Sequence, residues 1–304
     1  MGEIWEYFSC SLTPEWCNPV HFHSMSKRKE KKKSKKKIAE HWRTAKDSDR
    51  HELYELSVQN VESEIDFVDK VWKELRGRTA SRLREDFCGT FASSAEWITR
   101  RDENTAIGVD LDEEVVQWGR DHTLPKLDDP QQDRIEGILD DVLKVQCAKV
   151  ETLLAMNFSY YLFKTRESLR AYFQSAYAAL DDDGILICDS YGGSESFTEM
   201  EEERDLDGFT YVWDQSYYSP ISGDVVNHIH FRFPDKTEMR EAFTYEWRLW
   251  TLPEIKELML EAGFSKVTVW WEGTDEDGDG DGEFTADEVG EACEGWIAYL
   301  TAEK

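Results

Sequence analysis

Apolar and polar positions along the chain recur with two different periods, which separate predicted helices from predicted strands. Between residues 61 and 75 the apolar side chains return at helical spacing, and the pattern stops at Gly77, which predicts a helix. From residue 80 onward, short apolar runs alternate with amphipathic segments. The predicted strands are Ala80–Glu85, Thr105–Asp110, Arg134–Leu139, Val150–Met156 and Gly184–Asp189, and the predicted helices are Ala92–Arg100, Glu113–Arg120 and Arg166–Leu180. This alternation is typical of a parallel sheet with helices on both faces.

The pattern changes after Gly192, where turn-rich segments replace the alternating units. Three antiparallel strands are predicted there, followed by one helix and two closing strands. They are Phe209–Ser216, Val225–Phe233 and Met239–Leu249, then Leu252–Ala262, then Lys266–Trp271 and Trp296–Thr301. We therefore expect an α/β fold of the Rossmann-like type with a seven-stranded sheet whose last strand is antiparallel. Its parts are a tail over residues 1–37, a helical extension over 38–79, and one domain over 80–304 with a small β insertion at 194–250.

Charge is distributed unevenly along the 304 residues, whose net charge is −28. Residues 27–37 hold nine of the 36 basic side chains, whereas only four of the 64 acidic ones lie in residues 1–37, so the remainder carries a net charge of −33. A body this acidic repels phosphates, which makes nucleic acid an improbable partner of the main domain. The lysine-rich block is expected to be a disordered, solvated tail, with an anionic-surface tether as the alternative. Met25 is an alternative start of translation.

The pattern of cysteines and the hydropathy of the chain indicate in which cellular compartment the protein works. The six cysteines are scattered and include no C-x-x-C pair, which predicts free thiols in a reducing environment. No apolar run approaches the roughly 20 residues of a membrane span, and the N-terminus lacks the basic-then-apolar order of a secretory signal. We expect a soluble, cytoplasmic protein. Its oligomeric state is left open.

The first candidate motif follows the first predicted strand of the alternating region and reads Glu85-Asp-Phe87-Cys88-Gly89-Thr90-Phe91. A strand delivers an acid, a tight turn follows, and a helix begins, so backbone N–H groups can point at a polar ligand. A dinucleotide-binding loop would need three glycines, and only Gly89 is present. A pyrophosphate ligand is therefore not expected.

Two further acids follow the next two predicted strands. Asp110, with Leu111 after it, lies 21 residues after Gly89, which is the place for a carboxylate that accepts ribose hydroxyls. Asp141 and Val142 follow the third strand, where an acid can accept an adenine amino group. Each acid taken alone is equally compatible with a helix cap or a surface turn. Together and in this order, they indicate an adenosyl ligand.

At these residues the chain resembles the class I S-adenosylmethionine-dependent methyltransferases. Their first motif has the form D-x-G-x-G-x-G, which E-D-F-C-G-T-F resembles with Phe87 and Phe91 in place of two glycines, and GVDLD and DDV are similar to the second and third motifs. Residues 48–304 resemble a bacterial branch that carries the E-D-F-C-G-T motif. The resemblance implies S-adenosylmethionine as the cofactor, with Glu85 at its amino-acid end, Gly89 beneath it, Asp110 on the ribose and Asp141 on the adenine.

The loop after the fourth strand begins with Asn157 and contains Tyr160 and Tyr161. In a doubly wound sheet this loop faces the cofactor, so it is the expected place of the acceptor. The sequence N-F-S-Y is only faintly similar to the N-P-P-Y motif of amino-group methyltransferases. Tyr160 and Tyr161 are candidate catalytic residues, and the alternative places both tyrosines in the core.

The β insertion is rich in aromatic side chains and also carries His228 and His230. In related enzymes an insertion here covers the acceptor, and aromatic rings would exclude water. The alternative is ordinary packing of aromatics between sheet and helix. The two histidines alternate along one strand and share a face, which makes them candidate proton acceptors. A metal site is not expected because no third ligand is evident.

Residues 277–288 match the calcium-binding loop of an EF-hand in ligand positions and in Gly282. An EF-hand needs a helix on each side, whereas the preceding residues read as a strand, so calcium binding is not favoured. The whole pattern predicts S-adenosylmethionine-dependent methyl transfer to a nitrogen or oxygen of a small-molecule acceptor. The alternatives are a protein or nucleic-acid methyltransferase and a non-catalytic adenosylmethionine- or calcium-binding module.

Overall fold

Two β-sheets organise the protein in a computed structural model that describes residues 43–274 and 280–304. The helices in these ranges are α1 (Arg50–Ser57), α2 (Val61–Arg76), α3 (Ala92–Arg100), α4 (Glu113–His122), α5 (Asp129–Gln132), α6 (Arg166–Ala179) and α7 (Leu252–Ala262). The larger sheet contains β1 (Arg82–Asp86), β2 (Thr105–Asp110), β3 (Ile135–Leu139), β4 (Val150–Ala155), β5 (Leu180–Gly192), β10 (Lys266–Thr274), β11 (Gly280–Ala286) and β12 (Trp296–Glu303). The smaller sheet contains β6 (Met200–Leu206), β7 (Phe209–Tyr218), β8 (Asp224–Arg232) and β9 (Glu238–Arg248). The tail expected over residues 1–37 lies outside the described residues.

The larger sheet has the strand order β11-β10-β12-β5-β4-β1-β2-β3. The pairs from β5 to β3 are parallel, whereas β12 runs antiparallel to both β5 and β10, and β11 is antiparallel to β10. The chain leaves β1 outward to β2 and β3 and then returns to β4 on the other side of β1. The order therefore reverses between β1 and β4, and ligands of open α/β sheets bind at the carboxyl ends of strands beside such a reversal.

Helices cover both faces of this sheet, as the alternating pattern predicted. On one face Trp72 of α2 packs in a buried cluster with Leu154 of β4. On the other face Phe173 of α6 packs with the neighbouring residue of the same strand, Leu153. Both leucines are essentially fully buried because successive strand residues point to opposite faces and both faces are covered.

Helix α1 packs against the smaller sheet. Leu53 of α1 lies in a buried cluster with Ile229 and Phe231 of β8, and Phe243 and Tyr245 of β9 pack against the same cluster. The helix that precedes the alternating units and the strands inserted after β5 are therefore in direct contact, although more than 140 residues separate them in the chain.

Two strands were missed, so the predicted counts were wrong. The larger sheet has eight strands rather than seven, because β11 joins its edge, and the smaller sheet has four rather than three, because β6 joins its edge. Both strands pair with only one neighbour and are largely exposed. An exposed edge strand needs no alternation of apolar and polar residues, which is the signal on which strand prediction rests.

The segment that resembles a calcium loop lies partly outside the described residues, because 277–279 belong to the gap. The part that is described, Gly280–Ala286, forms β11 and pairs antiparallel with β10. Strands therefore occupy the described positions before and within the segment, and an EF-hand would need a helix before it.

None of the described helices combines the length and the apolar composition that crossing a membrane requires.

Candidate functional site

The loop between β1 and α3 keeps a glycine-like path although two of its glycine positions hold phenylalanine. Phe87, Gly89 and Phe91 all have left-handed backbone, with φ of 58°, 50° and 64°. A non-glycine residue in this region costs on the order of 1–3 kcal/mol and persists only where its surroundings impose it. The two phenylalanines therefore hold the left-handed backbone that glycine favours, and they add strain to the loop.

The ring of Phe91 fills a slot that three glycines leave open. It is fully buried, and a Cβ built on Gly108, Gly119 or Gly137 would come within 2.6, 2.8 or 2.8 Å of its ring atoms. These glycines belong to β2, α4 and β3. The ring thus fills the space that side chains at these three positions would occupy, and it anchors the loop against the sheet. This packing stabilises the strained backbone at Phe91.

Glu85, at the end of β1, is a buried carboxyl that lines the pocket. One of its oxygens accepts hydrogen bonds from the backbone N–H and the hydroxyl of Ser94, at 2.9 and 2.5 Å. Burial raises the pKa of Glu85 to about 8. A buried carboxyl held mostly neutral in this way would gain from a cationic group in the pocket, because a cation favours its ionised form.

Asp110, at the end of β2, joins its own strand end to the loop after β1. One carboxylate oxygen accepts from the N–H of Gly89 and the other from the N–H of Asp112, both at 2.9 Å. Burial raises the pKa of Asp110. Each oxygen keeps a further lone pair, so the carboxylate can hold the loop and still accept hydroxyl groups of a ligand.

Asp141, after β3, forms hydrogen bonds with residues that follow it closely in the chain. Its carboxylate accepts from the N–H of Leu143 at 3.0 Å and from the Lys144 ammonium at 2.7 Å, and the bond to Lys144 lowers the pKa of Asp141. Val142 is buried, and Leu111 and Leu139, at the ends of the two strands that precede it, are 71% and 45% exposed. Apolar side chains exposed at strand ends offer a surface for a flat apolar ligand.

A pocket opens above the loop after β1, and six of the predicted cofactor residues line it: Glu85, Phe87, Cys88, Gly89, Thr90 and Asn157. The remaining four, Asp110, Leu111, Asp141 and Val142, follow the neighbouring strand ends and do not line it. The other residues that line the pocket are His51, Tyr54 and Gln59 from α1 and the residues after it, and Asp86, Val115, Met156, Ser159, Phe243 and Tyr245. The sequence analysis did not identify the contribution of α1, because a residue brought from a distant helix leaves no local motif.

Three polar atoms around this pocket are buried without a hydrogen-bond partner among the described residues. They are Nε2 of His51, Oε1 of Gln59 and Oγ1 of Thr90. Buried polar atoms are nearly always paired, and each unpaired one costs roughly 1–3 kcal/mol. Since all three residues line the pocket, their side chains are candidates for hydrogen bonds to a ligand.

The loop after β4 is held by Asp189, which the sequence analysis did not single out. Asn157 and Phe158 both have left-handed backbone with φ of 57°, and their N–H groups donate to the two carboxylate oxygens of Asp189 at 2.8 Å each. Burial raises the pKa of Asp189 to about 7. The carboxylate at the end of β5 thereby fixes the loop expected to face the acceptor.

The structure places Tyr160 and Tyr161, the predicted catalytic residues, in the core and not in the lining of the pocket. Both rings are fully buried. The Tyr160 hydroxyl donates to the Asp189 carbonyl at 2.7 Å, and the Tyr161 hydroxyl pairs with that of Ser190 at 2.7 Å. Burial also raises the pKa of each hydroxyl well above its usual value. The two side chains belong to the core, which was the alternative interpretation.

The structure also places His228 and His230, the other predicted catalytic residues, away from the pocket. They alternate with Ile229 and Phe231, whose side chains pack towards α1, so the histidines lie on the opposite face of the smaller sheet. Neither of them lines the pocket. The shared face of the two histidines was predicted, but which face it is depends on how the smaller sheet packs.

His230 does have two acidic neighbours that the sequence analysis could not place, since they come from β6 and β7. Ligand atoms of Glu201, Asp214 and His230 lie within 4.8 Å of one another. However, the N–H of Glu241 donates to Nδ1 of His230 at 2.7 Å, so the proton of the neutral ring is on Nε2, which faces Asp214 at 3.2 Å. A metal on Nε2 would require the ring proton on Nδ1, opposite the Glu241 N–H, so this arrangement suits a hydrogen bond between His230 and Asp214.

Comparison with known proteins identifies the fold. No protein-family model and no curated protein matches the sequence. Among solved structures, an S-adenosylmethionine-dependent methyltransferase from Clostridium acetobutylicum aligns over 83% of this chain and 96% of its own, with a TM-score of 0.60 and 15% identity. An amino pentose methyltransferase from Micromonospora echinaspora aligns over 83% and 95%, with a TM-score of 0.58 and 15% identity.

A third similar structure is a sugar N-methyltransferase from Streptoalloteichus. It aligns over 84% of this chain and 93% of its own, with a TM-score of 0.57 and 15% identity. At these identities the likeness concerns the fold. The chain thus has the α/β fold, with its large parallel-rich sheet, that S-adenosylmethionine-dependent methyltransferases have.

Proposed function

We propose that the protein is an S-adenosylmethionine-dependent methyltransferase that transfers a methyl group to a nitrogen or oxygen of a small molecule. The observation that carries the proposal is the pocket at the switch point of the larger sheet. There the β1 loop, anchored by Asp110, meets the buried Glu85 carboxyl and the unpartnered Thr90 hydroxyl. Solved structures with a similar fold include an S-adenosylmethionine-dependent methyltransferase and one with the cofactor bound.

The residues present fit the chemical groups of the cofactor. Glu85 would hold the ammonium of its amino-acid end, and the Thr90 hydroxyl and the N–H groups of the loop are donors for the carboxylate. Asp110 would accept the ribose hydroxyls with its remaining lone pairs. Asp141 and the apolar side chains of Leu111 and Val142 would contact the adenine.

The cofactor, when bound, supplies a methyl group that its sulfonium has already activated. The protein then has to position the acceptor and keep water away. Tyr54, Phe243 and Tyr245 form an aromatic wall of the pocket, and the Tyr54 and Phe243 rings are 5.0 Å apart. Because this wall joins α1 to the smaller sheet, both elements are needed to close the site.

Two observations support a small acceptor. Side chains of both α1 and β9 line the pocket, which narrows the space for an acceptor. The net charge of −28 opposes binding of nucleic acid. Two of the proteins with similar folds are, by their titles, an amino pentose methyltransferase and a sugar N-methyltransferase.

Calorimetric titration with S-adenosylhomocysteine, the demethylated product, tests the cofactor part. We expect wild-type protein to bind it and Asp110→Ala to lose at least tenfold in affinity. Asp128→Ala is the control, since the Asp128 carboxylate also accepts from a backbone N–H, that of Gln131 at 2.9 Å, but does not follow a strand end. Unchanged affinity in Asp110→Ala, or no binding by wild type, would contradict the proposal. Release of S-adenosylhomocysteine across a panel of small amines and alcohols then tests transfer itself.

A further inference from the structure

The aromatic wall of Tyr54, Phe243 and Tyr245 has a chemical character that the exclusion of water alone does not require. All three residues are half-buried and line the pocket. Leucine or valine side chains would exclude water equally well, whereas an aromatic ring also has a negatively polarised face. The wall can therefore attract a positive charge in addition to keeping water away.

The two tyrosines of the wall differ from Phe243 in their surroundings. The Arg50 guanidinium lies 5.5 Å from the centroid of the Phe243 ring, so this ring already contacts a cation of the protein. Among the described residues, no lysine or arginine lies over the Tyr54 or the Tyr245 ring. Burial raises the pKa of both tyrosine hydroxyls, so both rings are neutral at pH 7. The tyrosines are therefore the members of the wall that can take up a cation from a ligand.

Both tyrosine rings are supported by neighbouring rings. The Tyr245 ring packs against the buried Trp247 at 4.5 Å between centroids, and the Tyr54 ring packs against Phe243 at 5.0 Å. Side chains that are fixed before a ligand arrives lose little conformational entropy on binding. The two rings are thus prepared for contact with a ligand in the pocket.

The cofactor pose proposed above places the sulfonium near this wall. Glu85 would hold the amino-acid end and Asp110 the ribose, and the sulfonium joins these two parts of the molecule. The Gly89 N–H donates to Asp110 at 2.9 Å, so the loop after β1 spans the same interval. Gly89 and the aromatic wall line one pocket, and none of the described residues that line it is a lysine or an arginine. A sulfonium above this loop therefore meets the aromatic wall, and the lining itself supplies no competing cation.

We propose that Tyr54 and Tyr245 recognise the positive charge of the methylsulfonium by cation–π contact. The protein then binds S-adenosylmethionine more tightly than its demethylated product. The inference rests on the proposed function and goes beyond it by assigning the residues that distinguish cofactor from product.

This recognition ends with the transfer step itself. The bond between the methyl carbon and the sulfur breaks, and its electron pair stays on the sulfur, which becomes a neutral thioether. The acceptor supplies the electron pair of the new bond to the methyl carbon, takes over the positive charge and releases it to water as a proton. The attraction to the two rings is lost with the charge on sulfur, which favours release of S-adenosylhomocysteine.

Calorimetric titrations of S-adenosylmethionine and S-adenosylhomocysteine, each without an acceptor, measure the ratio of the two dissociation constants. We expect the wild type to bind S-adenosylmethionine about 2- to 30-fold more tightly, which is the range of a cation–π contact from an exposed to a desolvated site. Tyr245→Leu and Tyr54→Leu should each move this ratio towards one. The two ligands differ only in the charged methyl group, so a variant that merely loosens the pocket weakens both and leaves the ratio unchanged.

Tyr245→Phe and Tyr211→Leu are the matched controls. Tyr245→Phe keeps the ring and removes only the hydroxyl, so it should retain the preference of the wild type. Tyr211 is a half-buried tyrosine of β7 in the same sheet but does not line the pocket, so its replacement should leave the ratio unchanged. The inference is refuted if either pocket leucine variant keeps the wild-type ratio, or if Tyr245→Phe lowers the ratio as far as Tyr245→Leu does.

The wild-type titrations separate the two claims. If neither ligand binds, the proposed function is contradicted. If both bind with equal affinity, only the recognition of the sulfonium charge by Tyr54 and Tyr245 is contradicted.

Discussion

Replacement of Glu85 by glutamine is expected to stabilise the free protein and weaken its cofactor binding at the same time. The buried Glu85 has a pKa of about 8, compared with 4.5 when exposed. Between these values the folded state keeps a proton that the unfolded state releases, so the free energy of unfolding falls as pH rises. The stability associated with this group is fully present below pH 4.5 and is lost as pH rises through about 8.

The size of the effect follows from the shift. At pH 7 the buried carboxyl costs on the order of 3 kcal/mol, because each pKa unit corresponds to about 1.4 kcal/mol. Glu85→Gln has no such cost, and its amide oxygen can still accept both hydrogen bonds from Ser94. The variant cannot form the charged contact with an ammonium, which is worth about 1.5–3 kcal/mol, or roughly 10- to 100-fold in affinity.

Urea unfolding from pH 4.5 to 8.5, together with calorimetric titration of S-adenosylhomocysteine, measures both effects. Glu64→Gln is the matched control, because Glu64 is also buried, has a raised pKa and accepts from a serine hydroxyl, but does not line the pocket. It should gain stability at neutral pH and keep its affinity. The reasoning is refuted if Glu85→Gln is less stable than wild type at pH 7, or if it binds the product as tightly as Glu64→Gln does.

Three further predictions concern the loops around the pocket. Gly137→Ala should lower the free energy of unfolding by about 1–3 kcal/mol, because its Cβ would lie 2.8 Å from Cζ of Phe91. Adding Phe91→Leu should recover part of that loss. Additive effects of the two substitutions in a double-mutant cycle would contradict the packing described. Asp189→Ala should lower stability by roughly 3 kcal/mol in thermal unfolding, since two charge-assisted hydrogen bonds are lost. Tyr161→Phe should lose about 1 kcal/mol of stability and keep its kcat on any acceptor found; a hundredfold drop in kcat would restore Tyr161 as a catalytic candidate.

The grouping of the residues proposed to hold the cofactor was largely predictable because it depends on local order. Glu85, Gly89 and Asp110 follow strand ends, and parallel strands bring their carboxyl ends to one edge of a sheet whatever the rest of the chain does. The hydrogen bond from Gly89 to Asp110 realises that expectation at 2.9 Å. The opposite wall of the pocket was not predictable in this way, since its residues come from α1, the loop after β4 and β9, which are far apart in the chain.

The sequence by itself determined where the buried helices and strands lie, because a covered face imposes a period of 3.6 or 2 on the apolar positions. Helices α3 and α7 have the predicted bounds, whereas the exposed edge strands β6 and β11 left no such period and were missed. The tertiary structure alone decided which side of each element faces the pocket. The two-residue period of a strand places His228 and His230 on one face, but it does not say which part of the protein that face contacts. It also cannot show that His51 of α1 contacts Phe243 of β9, which is distant in the sequence. Those contacts depend on the packing of whole elements, which no local spacing records.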